Sequence, residues 1–244
     1  SHASLPNAGA LSSGEKQMPT PELDTTQHDL ESVWELREEV LYPQLFGPVS
    51  RGIFVLEFSD FAALGHPECD PRWLHLGVFE FAPTPERPSW LYATSGGSTP
   101  WEQEPDQYMP GAESWLGFEF LMETPQQADW PIVLLKRLFA FQVLVMHGRF
   151  GDKPEIRYGD RIPIRSPIDR ASSQLTHVIA VAPQCVPARQ TLPSGFFDFI
   201  QFVGATGAEI EYAKAHGTEA LTTRLAAAGV APVTDPKRPE IAIR

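Results

Sequence analysis

The sequence predicts an α+β fold, a mixed β-sheet flanked by α-helices within a single domain. Three observations favour this class. Short apolar runs typical of strands are interspersed with longer segments whose apolar residues have helical spacing. Their order is helix, strands, helix, strands, helices, with no internal repeat. With 244 residues, 42% of them hydrophobic, the chain is also long enough to bury a sizeable core.

The N-terminal residues differ in composition from the rest. Residues 1–24 are rich in Ser, Gly, Pro and Ala and lack a hydrophobic period, which predicts a flexible tail before one domain over residues 25–244. The sequence does not begin with a positive stretch followed by an apolar run, so we expect no signal peptide. The most apolar segment, residues 130–146, contains Lys136 and Arg137 and is shorter than the ~20 apolar residues of a membrane span.

The first predicted helix is capped by Asp24 or Thr25 and ends at Pro43 and Gly47. Four strands should follow, the first almost continuously apolar, as in a strand covered on both faces. They are predicted at Ile53–Phe58, Leu74–Phe81, Trp90–Ala93 and Trp115–Met122. The long connection between the last two is rich in Pro and Gly, which is typical of a functional or mobile loop.

The clearest helix runs from Trp130 to Met146. Asp129 is placed to cap it, Pro131 suits the first turn, and Gly148 suits the left-handed position after its end. Its apolar residues cover nearly the whole circumference, so we expect the helix to be largely buried.

The C-terminal third predicts two strands and two helices. The strands are expected at Leu175–Ala182 and Phe196–Val203. The second has large apolar residues on both faces, which predicts a central strand. Thr206 and Glu209 form a capping box that opens a helix ending at Gly217, and a second short helix ends at Gly229.

Charge and cysteine content exclude several classes of protein. The chain carries 31 acidic and 19 basic side chains, a formal net charge of −12. General binding to nucleic acid or to anionic membranes needs a positive field, so we expect neither. The two cysteines, Cys69 and Cys185, are too few for a disulfide framework, which favours the reducing cytoplasm.

Two segments invite a ligand-binding interpretation. Ser95-Gly96-Gly97-Ser98 follows a predicted strand, but it lacks the Gly-Lys-Ser/Thr ending of a phosphate loop, and a tight turn explains its glycines better. His66, Cys69, Asp70 and His75 are possible metal ligands, but their spacing matches no standard zinc site. We therefore expect neither a metal nor a cofactor.

Two other sets would support a hydrolase, which is the alternative function. Asp169, His177 and Cys185 could act as orienter, base and thiolate nucleophile. Glu119 and Glu123 could divide acid and base roles. A histidine satisfied within a strand, a cysteine filling a small gap and carboxylates on a solvated face are the simpler interpretations, so we predict that the protein is not an enzyme.

Aromatic residues are abundant, with 15 Phe, 6 Trp and 5 Tyr. Trp101, Tyr108 and Trp115 lie in or beside the long Pro-rich loop. Aromatic side chains on loops anchor protein interfaces, although most aromatic residues fill cores.

A series of motifs resembles the suppressor-of-fused family, in the order that the family shows. These motifs are Tyr92–Ser98, Gly117–Phe120, Trp130-Pro131 at the start of a Leu-rich helix, Gly159–Ile162, Ser166–Asp169, Leu175–His177, Gln201–Thr206, the helix from Glu209 to Gly217, and Thr234–Pro236. They span roughly residues 30 to 240. The chain is identified as a stand-alone, bacterial-type member of this family.

The resemblance implies protein binding without catalysis, on a mixed sheet with flanking helices. The animal member is similar to a two-domain clamp around a transcription-factor peptide, and this sequence resembles only its N-terminal domain. Stand-alone members are typically bacterial and have been proposed as immunity proteins. Two peptide-contacting positions of the animal domain carry over to Asp160, in a Gly-Asp turn, and to Phe141, where the family member has a tyrosine.

We therefore expect a cytoplasmic module that sequesters a protein partner, either a toxin of a polymorphic toxin system or a regulatory protein. Strand addition or a groove lined by aromatic residues would bind it. An acidic surface would steer a basic partner, so affinity should fall as salt rises. The sequence does not fix the oligomeric state.

Overall fold

The computed structural model describes residues 29–243. The helices pack on both faces of one sheet. In chain order they are α1 (Leu30–Glu35), α2 (Tyr42–Phe46), α3 (Phe58–Ala62), α4 (Trp130–Met146), α5 (Gly207–His216) and α6 (Thr218–Ala227). A π-helical segment, Leu36–Leu41, joins α1 to α2, and 3₁₀ turns lie at Pro71–His75 and Pro105–Gln107. Within the described residues, no helix combines the length and apolar character that a membrane span requires.

The eight strands form one mixed sheet. They are β1 (Val49–Val55), β2 (Gly77–Phe81), β3 (Trp90–Ser95), β4 (Glu113–Thr124), β5 (Arg161–Pro163), β6 (Leu175–Val181), β7 (Arg189–Leu192) and β8 (Gly195–Thr206). Their order is β1-β2-β3-β4-β8-β6-β5, and β7 pairs with the beginning of β8. β4 and β8 run parallel, whereas the other neighbours run antiparallel. The predicted α+β class is therefore confirmed.

Apolar residues on the two faces of the sheet build separate cores. On one face, α4 packs against aromatic and aliphatic residues of β4 and β8, including Phe118, Phe120 and Phe202. On the other face, α2 and the central strands bury a second aromatic cluster around Tyr42 and Phe199. The helices α5 and α6 cover the rest of that face. β8 is buried on both faces, as predicted, because it lies inside the sheet and under helices on each side.

Several elements confirm the local sequence signals. The helix Trp130–Met146 has the predicted bounds, and Gly148 adopts the left-handed conformation after it, with φ +71°. The capping box of Thr206 and Glu209 is present at the start of α5. Gly217 ends that helix as predicted.

The start of the domain differs from the prediction. The predicted tail, residues 1–24, and the predicted caps, Asp24 and Thr25, lie outside the described residues. Asp29 caps α1, and its carboxylate accepts a hydrogen bond from the amide of Ser32. Pro43 does not end the helix. The π-helical segment has already replaced the ordinary hydrogen-bond spacing before it, so the ring fits in the first turn of α2.

Three further expectations were wrong. Ile53–Phe58 is not a strand covered on both faces, since β1 is a largely exposed edge strand and Phe58 begins α3. Leu74 lies in a 3₁₀ turn, and the second strand begins only at Gly77. Asp129 makes no capping hydrogen bond, because its carboxylate binds Arg51 instead, at 2.9 Å.

Candidate partner-binding site

A groove lies along the free edge of β5, at the end of the sheet opposite β1. Two cavities of about 450 and 480 Å³ form it. Both are lined by Phe141, Lys153, Ile162 and Pro163, so they make one continuous depression between α4 and β5. We call this depression the β5 groove.

The edge of β5 that faces the groove is unpaired in the described sheet. On its other edge, β6 binds the carbonyl of Asp160 at 2.9 Å and the amide of Ile164 at 2.8 Å. Because successive residues of a strand direct their backbone groups to opposite edges, those of Arg161 and Pro163 face away from β6. An extended segment from another molecule can therefore continue the sheet here, although Pro163 can only accept a hydrogen bond.

Asp160 lies in the turn that leads into β5. Its carboxylate accepts a hydrogen bond from the amide of Arg157 at 2.8 Å, and the side chain remains exposed. Gly159 supports the turn with φ +91°, a conformation that other residues rarely adopt. The amide of Gly159 donates to Ala180 of β6, and Thr218 of α6 donates to the carbonyl of Gly159, so both elements fix the turn.

Phe141 forms the opposite wall of the groove from the middle of α4. Its ring lies 5.4 Å from the ring of Phe150, and the ammonium group of Lys153 lies 5.2 Å from its centre. The buried side chain of Gln142 accepts a hydrogen bond from the amide of Ile156, which ties the segment after α4 to that helix. The structure thus places Asp160 and Phe141 in the lining of the same cavity.

The turn Ser95–Ser98 binds a carboxylate of the protein itself. One oxygen of Glu119 accepts hydrogen bonds from the amides of Gly96 and Ser98, both at 2.9 Å, and from the Ser98 hydroxyl. The guanidinium of Arg37 contacts the hydroxyls of Ser95 and Ser98 and lies 3.9 Å from the carboxylate. The carboxylate of Glu119 therefore occupies the place that a bound phosphate would take. This geometry agrees with the interpretation of Ser95–Ser98 as a tight turn and not as a phosphate loop. We call this buried set of groups the Glu119 turn.

We expected the two carboxylates of β4 to lie on a solvated face, and this expectation was wrong. Glu119 is fully buried, and Glu123 is 3% exposed. The oxygens of Glu123 accept hydrogen bonds from Ser89 and Gln201, each at 2.7 Å. Both acids are hydrogen-bonded inside the protein, and neither lines one of the described cavities.

The candidate triad is not assembled. The carboxylate of Asp169 accepts hydrogen bonds from the amides of Ala171 and Ser173, and His177 pairs with Thr176 at 3.0 Å. Desolvation, with a smaller contribution from the nearby charge of Glu123, raises the pKa of the Cys185 thiol to about 11. A thiol with so high a pKa has little thiolate at neutral pH, so it is a poor nucleophile.

Three of the four candidate metal ligands have separate partners, and the fourth, Cys69, is a free thiol. His66 packs on Phe150, Asp70 binds Arg72, and His75 stacks on Trp101. Among residues 29–243, no group of three or more His, Cys, Asp and Glu side chains is arranged to bind a metal.

The aromatic residues of the long loop pack inward. Trp101, Tyr108 and Trp115 are all half-buried. Trp101 contacts Trp34, and the ring of Trp115 lies 5.7 Å from that of His147. These contacts attach the loop to the domain.

Reasoning from sequence missed the groove around Asp160 and Phe141. β5 has only three residues and contains Pro163, so no strand was predicted there. A signal was present, because polar or proline residues alternate with Ile162 and Ile164 between Arg161 and Arg165. The alternation alone could have indicated an edge strand.

Comparison with known proteins agrees with the fold. The crystal structure of a Sufu–Fu complex superposes with a TM-score of 0.56 at 18% identity, covering 86% of this chain and 90% of that chain. A suppressor of fused homologue from Neisseria gonorrhoeae is 21% identical, with a TM-score of 0.49 and coverage of 69% and 79%. Drosophila Suppressor of Fused is 20% identical, with a TM-score of 0.42, and matches 57% of this chain over 35% of its own. No curated protein matches the sequence.

The family assignment comes from the sequence as a whole. The family model for suppressor of fused protein matches residues 72–239, which is more than half of the chain. This match confirms the resemblance carried by the individual motifs. The chain belongs to the suppressor of fused family.

Proposed function

We propose that this protein is a non-catalytic binding module that sequesters a protein partner by accepting an extended segment along β5. The partner is a toxin that the module neutralises, or a regulatory protein. Asp160 and Phe141 contact the bound segment from opposite sides of the β5 groove.

The observation that carries this proposal is an unpaired strand edge lying beside a long groove. Two cavities adjoin β5, and together they offer room for several side chains. Strand addition joins main-chain hydrogen bonds at the edge with pockets for side chains, and β5 supplies both features. Family membership supports the same conclusion, since a related fold has been crystallised as a Sufu–Fu complex.

Asp160 suits a contact role because it is anchored but accessible. Within the part of the chain that the structure describes, its carboxylate accepts one hydrogen bond, from the amide of Arg157, and a carboxylate can accept several. The exposed oxygen is free to accept from a backbone amide or a basic side chain of the partner. Phe141 offers an apolar surface across the groove, where burial of a partner side chain would add affinity.

Affinity capture from the native cell tests the proposal. We expect the wild-type protein to retain a partner that Asp160→Arg does not retain. Glu86→Arg makes the same charge change on an exposed acid of the hairpin between β2 and β3, and it should retain the partner. Adding wild-type protein to the purified partner should then suppress the partner's own activity.

Two results would contradict the proposal. Equal capture by the wild type and Asp160→Arg would remove this acid from the interface. A captured partner whose activity is unchanged by an excess of the module would argue against sequestration.

A further inference from the structure

The β5 groove is basic, although the protein as a whole is acidic. The side chains of Arg137, Lys153, Arg161 and Arg165 line its two cavities. Among the described residues, Asp160 is the one acidic residue in either lining, and it lies at the beginning of β5, away from Arg165. The formal net charge of the chain is −12, so a surface with four basic residues and one acidic residue differs from the chain as a whole.

All four basic residues are exposed, and none forms an ion pair with any residue between 29 and 243. The ammonium group of Lys153 lies over the ring of Phe141. Six arginines elsewhere do bind carboxylates, namely Arg37, Arg51, Arg72, Arg157, Arg189 and Arg238. Carboxylates are plentiful in this chain, yet within residues 29–243 none of them, Asp160 of the lining included, forms an ion pair with a cation of the groove.

Charged side chains close to the bound segment determine which segment the groove prefers. At physiological ionic strength the Debye length is about 8 Å, so acidic groups on distant surfaces are largely screened from a segment lying in the groove. A carboxylate in the groove would instead be within reach of several cations at once. The net charge favours a basic partner at long range, but the surface that would touch the bound segment favours an acidic one.

We propose that the β5 groove accepts an extended segment rich in Asp and Glu, whose carboxylates pair with these four basic side chains. This inference rests on the proposed function, since it assumes that a segment binds along β5. A second copy of this chain is a poor occupant, because pairing two β5 edges would bring two sets of unpaired cations together.

The polarity of the groove also constrains the register of the segment. Arg137 and Arg165 line one cavity, whereas Asp160 lines the other. Acidic residues should therefore be concentrated on the part of the segment that lies beside Arg165. The part beside Asp160 should be neutral or should carry a hydrogen-bond donor.

Labelled synthetic peptides test the inference on the full chain. One peptide of roughly twelve residues, long enough to pass along the whole groove, alternates Val with Glu. Two others replace Glu by Gln or by Lys. By fluorescence anisotropy we expect the Glu peptide to bind at least about tenfold more tightly than the Gln peptide, with the Lys peptide weakest. The preference should shrink as salt rises.

A charge-reversal pair locates the effect. The double variant Arg137→Glu/Arg161→Glu should lose the preference for the Glu peptide, whereas Arg149→Glu/Lys237→Glu, which changes two exposed cations outside the groove, should keep it. Circular dichroism and thermal unfolding establish that both variants fold. Hydrogen exchange should show slower exchange of the Arg161 amide when the Glu peptide is bound.

The outcomes separate this inference from the function on which it rests. If the Gln peptide binds as tightly as the Glu peptide and protects β5, strand addition stands and the acidic partner is wrong. If no peptide binds or protects β5, strand addition itself fails. Tighter binding of a single-stranded oligonucleotide than of the Glu peptide, or a dimer that Arg137→Glu/Arg161→Glu dissociates, would also overturn the inference.

Discussion

Two charged regions of this protein, the Glu119 turn and the β5 groove, use similar groups in opposite ways. In the turn, the charges of Arg37 and Glu119 are fully buried and satisfied by the protein's own hydroxyls and amides. In the groove, Arg161 and Arg165 are exposed and have no carboxylate partner within the described chain. The turn lies in the middle of the sheet and the groove at its edge.

The difference separates charges that the fold itself uses from charges that the proposed partner would use. Removing one member of a buried, hydrogen-bonded ion pair destabilises the folded protein strongly, and the buried charges are out of reach of a ligand. Exposed charges of one sign add little to the stability of the free protein. They contribute free energy when another molecule binds and supplies the opposite charge. Residues of the two regions should therefore respond differently to the same kind of substitution.

We expect the largest loss of stability from the substitution Glu119→Ala. Removing this carboxylate leaves the buried guanidinium of Arg37 with Glu38, at 3.7 Å, as its remaining counter-charge, and it takes away the acceptor of two amides in the turn. We expect the free energy of unfolding to fall by about 3–5 kcal/mol, measured by urea denaturation. Asp160→Ala is the control in the groove and should cost no more than about 1 kcal/mol. A similar loss of stability in both variants would contradict the distinction between the Glu119 turn and the β5 groove.

Glycine substitutions sharpen the comparison further. Gly96 of the turn and Gly159 beside the groove both have positive φ, +132° and +91°. A Cβ at Gly96 would lie 2.3 Å from a methyl carbon of Leu76, whereas a Cβ at Gly159 would meet nothing within 4 Å. Thermal unfolding should show a loss of about 2–4 kcal/mol for Gly96→Ala and about 1–2 kcal/mol for Gly159→Ala. Equal losses would mean that backbone strain alone matters at both sites.

A second buried ion pair predicts a dependence on pH. Burial alone would raise the pKa of Glu209, but hydrogen bonds from Arg238 and from the amides of Thr206 and Ile241 outweigh it and hold the pKa below its ordinary value. Because the folded-state pKa is lowered, the stabilisation is complete above the unfolded-state pKa of about 4.3 and is lost as pH falls through the folded-state value.

The variant Glu209→Gln isolates this contribution. At neutral pH it should lower the free energy of unfolding by about 2 kcal/mol, since hydrogen bonds to a charged group are replaced by neutral ones. Denaturation measured between acidic and neutral pH should show a smaller difference from the wild type at the acidic end. A gap between Glu209→Gln and the wild type that stays constant with pH would contradict the pKa direction.

The elements that sequence reasoning predicted well are those with local causes. The helix from Trp130 to Met146 is specified by its own apolar residues, and the capping box at Thr206 needs only Glu209, three residues away. The Glu119 turn was not foreseen as a charge site, since its partners come from β4 and from the helical segment that carries Arg37, far apart in the chain.

The β5 groove escaped prediction for a related reason. Its walls come from α4, from the segment around Lys153 and from β5, and only the folded sheet brings them together. The resemblance to the family indicated Asp160 and Phe141 as two separate positions and did not show that they lie close together. Their common cavity and the basic side chains around it became visible only in three dimensions.

The parallel pairing of β4 with β8 has a consequence for the order of folding. Phe118 lies opposite Asp198, and the whole of α4, β5, β6 and β7 intervenes in the chain. Such non-local pairings form slowly, and this one cannot begin on the ribosome before β8 has emerged. β5 joins the sheet only through β6, which itself pairs with β8. A nascent chain would thus complete the β5 edge only after both β6 and β8 have been synthesised.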